Sequence, residues 1–131
     1  MVVDASVTLS WIMPGETPRP DVLARAQTEQ IIVPYIWRLE VLNILLIAEK
    51  RGRLSTVQVE SFLTELNRLG PSIDIAGLGS AWTDIKLYAR LYQLTSYDAA
   101  YLELAIREGA ALATDDVKLK TAAISAGLTV L

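Results

Sequence analysis

The sequence predicts an α/β fold, with a mainly parallel sheet of about five strands covered by helices on both faces. Three observations predict it. Short apolar or β-branched runs alternate with longer helical stretches from end to end. Prolines and glycines fall at the ends of these stretches, where they act as stops. Hydrophobic residues make up 52% of the 131, which suits a compact core and argues against disorder. The length is that of one domain, expected to span residues 1–131. The chain has no internal repeat, low-complexity tract or linker.

Met1 to Val3 is the first expected strand. Ser6 to Met13 follows as a short helix stopped by Pro14-Gly15, and Asp21 to Gln30 as a second. Ile31-Ile32-Val33 is β-branched and ended by Pro34, which predicts a second strand. Ile36 to Arg51 is a long helix with Gly52 just past its end, where glycine caps helices in the left-handed conformation. Thr56 to Leu69 is helical from a start near Ser55 and is stopped by Gly70-Pro71. A strand over Ile73 to Ile75 leads to helices over Ser80 to Leu94 and Tyr97 to Glu108, the latter ending at Gly109. Ala111 to Ala113 and Thr129 to Leu131 are the last expected strands, on either side of a helix over Val117 to Ala126.

The chain has no histidine and no cysteine. That excludes a histidine general base, a Ser-His-Asp triad, a cysteine nucleophile and a zinc site of thiolates or imidazoles. Chemistry must then rest on carboxylates, and clustered carboxylates favour a hard cation such as Mg2+ or Mn2+. Net charge is −3, which by itself weighs against a nucleic-acid partner. Neutralising a few clustered acids with cations removes that objection. Met1 leads directly into an apolar run, with no basic leader. Leu39 to Ala48 is interrupted by Glu40 and Asn43 and falls short of the ~20 apolar residues a bilayer span needs. A cytoplasmic protein without membrane association is therefore expected.

Four acids stand where a site is expected. In open α/β sheets, ligands bind beyond the carboxyl ends of the strands, where strand order reverses. Asp4 lies just after the first strand; it is either a helix N-cap or a ligand. Glu40 and Asn43, one turn apart, form a polar island on an apolar helix. A buried carboxylate there needs a partner, either a salt bridge or a cation. Asp98 completes Thr95-Ser96-Tyr97-Asp98, a capping-box pattern that also holds a carboxylate ionised at a helix N-terminus. Asp115 and Asp116 follow the fourth strand; a cap accounts for one of them, and the other is exposed or a ligand. Four close carboxylates repel unless cations hold them.

These residues together resemble the PIN-domain proteins, most nearly the toxin ribonucleases of VapBC toxin–antitoxin systems. The resemblance runs from Met1 to Leu131. It rests on Val2-Val3-Asp4-Ala5-Ser6, Trp37-Arg38-Leu39-Glu40-Val41-Leu42-Asn43, Leu94-Thr95-Ser96-Tyr97-Asp98-Ala99-Ala100-Tyr101 and Ala113-Thr114-Asp115-Asp116-Val117-Lys118-Leu119. It implies a three-layer α/β/α fold and a metal site of Asp4, Glu40, Asp98 and Asp116. Ser6, Asn43, Thr114 and Asp115 are implied as supporting residues, with Asp115 at the motif's variable position. The implied activity is a Mg2+- or Mn2+-dependent endoribonuclease that leaves 5′-phosphate and 3′-hydroxyl ends. An antitoxin covering the acids and a homodimer are the implied partners.

Arg38, two residues from Glu40, is a candidate phosphate contact or one half of a surface ion pair. Lys50-Arg51-Gly52-Arg53 either touches RNA or complements the negative end of its helix. Trp11, Tyr35, Trp37 and Trp82 are expected mainly in the core, with some lining a groove for a partner helix. The alternatives are a nuclease acting on DNA or flap structures through the same acids, and a non-catalytic RNA-binding module. A receiver domain or an Asp-x-Asp phosphatase is excluded because Asp4 is followed by Ala5 and Ser6.

Overall fold

A computed structural model describes residues 1–131. The elements run β1 (Val2–Val3), α1 (Ala5–Ser10), α2 (Pro20–Ala26), β2 (Ile32–Pro34), α3 (Trp37–Lys50), α4 (Thr56–Leu69), β3 (Ser72–Asp74) and α5 (Gly77–Ser80). A π-helical turn (Ala81–Ile85) follows, then α6 (Lys86–Leu91), α7 (Ser96–Glu108), β4 (Leu112–Ala113) and α8 (Val117–Ser125). The sheet is wholly parallel, in the order β3-β2-β1-β4. Right-handed crossovers then place α1 to α4 on one face and α5 to α8 on the other, which makes three layers. Strand order reverses between β1 and β4, so the crevice at their carboxyl ends is where this topology opens a site.

Four strands form, not about five. Thr129 to Leu131 makes a single parallel bridge, Val130 to Leu112, with Leu112 N–H donating to the Thr129 carbonyl and Leu131 N–H to the Leu112 carbonyl. These two hydrogen bonds flank one residue of β4, so the contact stops at a bridge and does not extend into a ladder.

Local signals set most helix ends. Ser55 and Gln58 form the capping box that opens α4. Pro20 begins α2 at a position where its missing N–H costs nothing. Gly52 and Gly109 take positive φ just past α3 and α7, as helix-ending glycines do. The helix expected over Ser80 to Leu94 is instead broken by the π-helical turn and ends at Leu91. The wider turn keeps Ile85 in the core and leaves Trp82 83% exposed, so that tryptophan is not a core residue. Trp37 is buried as expected, and its indole N–H donates to Thr8.

α7 is the central helix. Ala99 to Ala105 are all buried, and α7 packs against β1, β2, β4 and α8. Its alanines allow the close approach. Glu103, buried within this stretch, pairs with Arg107, which also reaches Asp74 at the end of β3. No helix is long and apolar enough to cross a membrane.

Candidate active site

β1 and β4 deliver the first two parts of the site. Asp4 N–H donates to the Ala113 carbonyl, which carries the sheet pairing one residue past β1. The Asp4 side chain does not cap α1. Its Oδ2 instead accepts from the hydroxyls of Ser6 (3.1 Å) and Thr114 (2.8 Å). Thr114 is buried, and its Oγ1 also accepts the Asp116 N–H at 3.1 Å. One threonine thus ties the loop after β1 to the loop after β4.

The N-terminal turns of α3 and α7 bring the next two. Glu40 and Asp98 both lie in first turns, where the helix dipole favours negative charge. Glu40 Oε2 accepts from the Tyr101 hydroxyl at 2.6 Å. Asp98 Oδ2 accepts from the Thr95 hydroxyl at 2.7 Å, while Asp98 N–H donates back to Thr95 Oγ1. Asp116 is exposed and caps α8, its Oδ1 accepting from Leu119 N–H at 2.8 Å.

A common pattern emerges. Each of the four carboxylates has one oxygen held by a hydroxyl or an amide and a second with no side-chain partner. None of the four is paired with lysine or arginine. Burial raises the Asp4 pKa, against the hydrogen bonds of Thr114 and Ser6. Burial also raises that of Glu40, against the Tyr101 hydrogen bond, and the charges of Asp4 and Asp98 push it further. Tyr101 is raised far above the ordinary phenol range, first by burial and then by the adjacent Glu40, so it stays a donor.

Asp4 and Asp98 therefore both lie within electrostatic reach of Glu40. As placed, no three acidic groups converge on one coordination point, because each is drawn to its own hydrogen-bond donor. The all-oxygen donor set and the uncompensated repulsion fit a hard divalent cation.

The supporting residues divide. Ser6 and Thr114 touch Asp4 directly. Asn43 lies beside Glu40 in an open hollow of about 350 Å³ that Leu39 and Tyr97 also line. Asp115 turns toward the α1–α2 loop, 3.7 Å from Arg19. Arg38 lines a different groove, between α3 and α4, with Leu63, Leu66 and Asn67. Two residues of helix separate Arg38 from Glu40, about 200° around the axis, so the two side chains leave α3 on nearly opposite sides. Tyr101 was not singled out as a site residue from sequence. Its signal was the spacing from Asp98, three residues along the same helix face.

Comparison with known proteins agrees with this architecture. The chain is 29% identical over 119 residues to "Ribonuclease VapC3" of Pyrobaculum aerophilum, covering 91% of each protein. The fold is similar to that of PAE2754 from Pyrobaculum aerophilum, with a TM-score of 0.68 at 20% identity over 92% of this chain and 84% of the other. It is also similar to FitAcB from Neisseria gonorrhoeae, with a TM-score of 0.66 at 15% identity over 99% and 95%. The family model described as "PIN domain" matches residues 1–124, and the chain belongs to the PIN-domain family.

Proposed function

We propose that the protein is a metal-dependent endoribonuclease, the toxin of a VapBC-type pair, cutting RNA to 5′-phosphate and 3′-hydroxyl ends. One observation carries the reading: Glu40 is repelled by both Asp4 and Asp98, and none of the three acids has a cationic side-chain partner, near the reversal of strand order. The ribonuclease name of the Pyrobaculum relative supports it. A cognate antitoxin, a homodimer and a cytoplasmic setting belong to the same reading.

Asp4, Glu40, Asp98 and Asp116 would hold Mg2+ or Mn2+, each keeping one carboxylate oxygen without a side-chain partner. When bound, the ion lowers the pKa of water for attack on the phosphodiester and stabilises charge on the leaving oxygen. Ser6 and Thr114 fix the Asp4 carboxylate, and Tyr101 fixes that of Glu40. Thr114 also sets where Asp116 begins α8. Asp115, held toward Arg19, is a supporting residue rather than a ligand.

Purified protein should cut single-stranded RNA in Mg2+ or Mn2+, stop in EDTA, and leave ends that a ligase requiring 5′-phosphate can join. Full RNA cleavage in EDTA would sink the mechanism. Faster cutting of single-stranded or flap DNA than of RNA would replace the substrate.

A further inference from the structure

We propose that a hollow beside the acids is the subsite for one nucleotide of the RNA strand, and that Gln93 reads its base. This rests on the nuclease reading above. The hollow measures about 270 Å³ and is lined by Tyr92, Gln93, Val117, Lys118, Thr121 and Ser125, with Ala122 at its floor. Its two walls are the segments that carry two of the acids. Val117 and Lys118 directly follow Asp116, and Gln93 stands two residues before Thr95, the residue that holds Asp98. The hollow thus adjoins the segments that carry Asp116 and Asp98, within reach of a nucleotide neighbouring a phosphate held at the acids.

Gln93 is the one non-glycine residue at positive φ, +55°. It sits where α6 ends, between Tyr92 N–H donating to the Tyr88 carbonyl and Leu94 N–H donating to the Ala89 carbonyl. A glycine would sit there without strain, as at Gly70 and Gly109. Backbone strain of this kind collects at working positions, where the side chain supplies something glycine lacks. Here the side chain is an amide in a defined pose. Its Nε2 donates to the Arg90 carbonyl at 2.8 Å, which leaves Oε1 and one N–H for a ligand.

The neighbours suit a nucleotide. Tyr92 offers a half-buried ring braced by Tyr88, with centroids 6.4 Å apart. Unstacked RNA bases are commonly held by an aromatic ring and read at their edges by amides. Lys118 is exposed and makes no ion pair, so its ammonium is free for a phosphate. The hydroxyls of Thr121 and Ser125 donate to carbonyls of their own helix and present only acceptor capacity to the hollow.

The test uses the full chain and RNA oligonucleotides varied one base at a time on both sides of the cut. Gln93→Gly should melt about 2–5 °C higher than wild type. It should also lose base preference at a single position, with kcat/KM for the preferred RNA down about tenfold. Gln93→Asn, which tolerates the same backbone conformation with a shorter amide, should shift the preferred base. Lys118→Ala should raise KM for all sequences alike and lower the salt dependence of binding by about one phosphate contact. Unchanged base preference and KM in both Gln93 variants, with wild-type RNA cleavage intact, overturns the subsite alone. Wild-type protein that neither cuts nor binds RNA overturns the nuclease reading and the subsite with it.

Discussion

Two groups of carboxylates meet α7, and the chain treats them in opposite ways. Toward its C-terminal end, buried Glu103 and nearby Asp74 share Arg107, at 2.9 and 2.7 Å. Asp74 also accepts the Gly77 and Ala76 N–H groups. Toward its N-terminal end, the side-chain donors to Asp4, Glu40 and Asp98 are all hydroxyls, and no cationic side chain pairs with them. A hydroxyl orients a carboxylate without neutralising it. At Glu103 and Asp74 the chain supplies the counter-charge; at Asp4, Glu40 and Asp98 it does not. The contrast distinguishes a structural acid from a site acid better than burial does, since Glu103 is more buried than Glu40.

The largest expected effect is on activity at the uncompensated group. Asp4→Asn should reduce RNA cleavage by at least about 100-fold while leaving the far-ultraviolet circular dichroism unchanged. Retention of wild-type cleavage would remove Asp4 from the site. The same change should leave stability at neutral pH equal or higher, because it removes a desolvated charge with no counter-ion.

Next comes the compensated group. Arg107→Met should destabilise the protein by about 2–4 kcal/mol in chemical denaturation, since it leaves Glu103 buried without a partner. If Arg107→Met proved as stable as wild type, the two groups would not differ in the way argued. Tyr101→Phe probes the boundary between them. It removes the hydroxyl from Glu40 without altering the core packing, and should weaken Mn2+ binding about tenfold by calorimetry, with little change in melting temperature. Unaltered Mn2+ affinity would show that Tyr101 does not set the Glu40 carboxylate.

The smallest effect is on pH dependence. Asp4 and Glu40 have folded-state pKa values raised above their ordinary ones, so the folded state binds protons more tightly than the unfolded. Their contribution therefore favours folding as pH falls through those raised values, and this contribution fades as pH rises. In EDTA, wild type should gain on Asp4→Asn by about 1–3 °C in melting temperature between neutral pH and about pH 5. Saturating Mg2+ should shrink that gain. A wild-type advantage that instead grew toward alkaline pH would reverse the sign and contradict the desolvation of Asp4.

Much of this was legible in the sequence, for identifiable reasons. Helix ends were readable where a single residue decides them, as at Ser55, Gly52 and Gly109. The place of Asp4 is readable because the order of strands and helices implies where a parallel sheet opens, whereas Thr114 is implied only by the resemblance to PIN domains. The π-helical turn was not, because it depends on whether Ile85 or Trp82 faces the core, and that is a tertiary choice. The fifth strand was overestimated because three apolar residues look alike whether they make a ladder or one bridge. The closeness of Arg38 to Glu40 in sequence suggests a shared site, but two residues along a helix point it the other way. Tyr101 was passed over because an aromatic residue in an apolar helix looks like packing, and its hydroxyl acquires a role only when α3 arrives opposite it.

The hydrogen bond from Thr114 to Asp4 spans 110 residues of sequence. β1 lies between β2 and β4, and more than a hundred residues separate it in sequence from β4. A growing chain can pair β1 with β2 and β2 with β3 early, yet the far side of Asp4 stays open until Thr114 and Asp116 have left the exit tunnel. The acids thus come together only after β4 has emerged, and a chain that stops before β4 carries Asp4, Glu40 and Asp98 without the strand that brings Thr114 and Asp116 beside them.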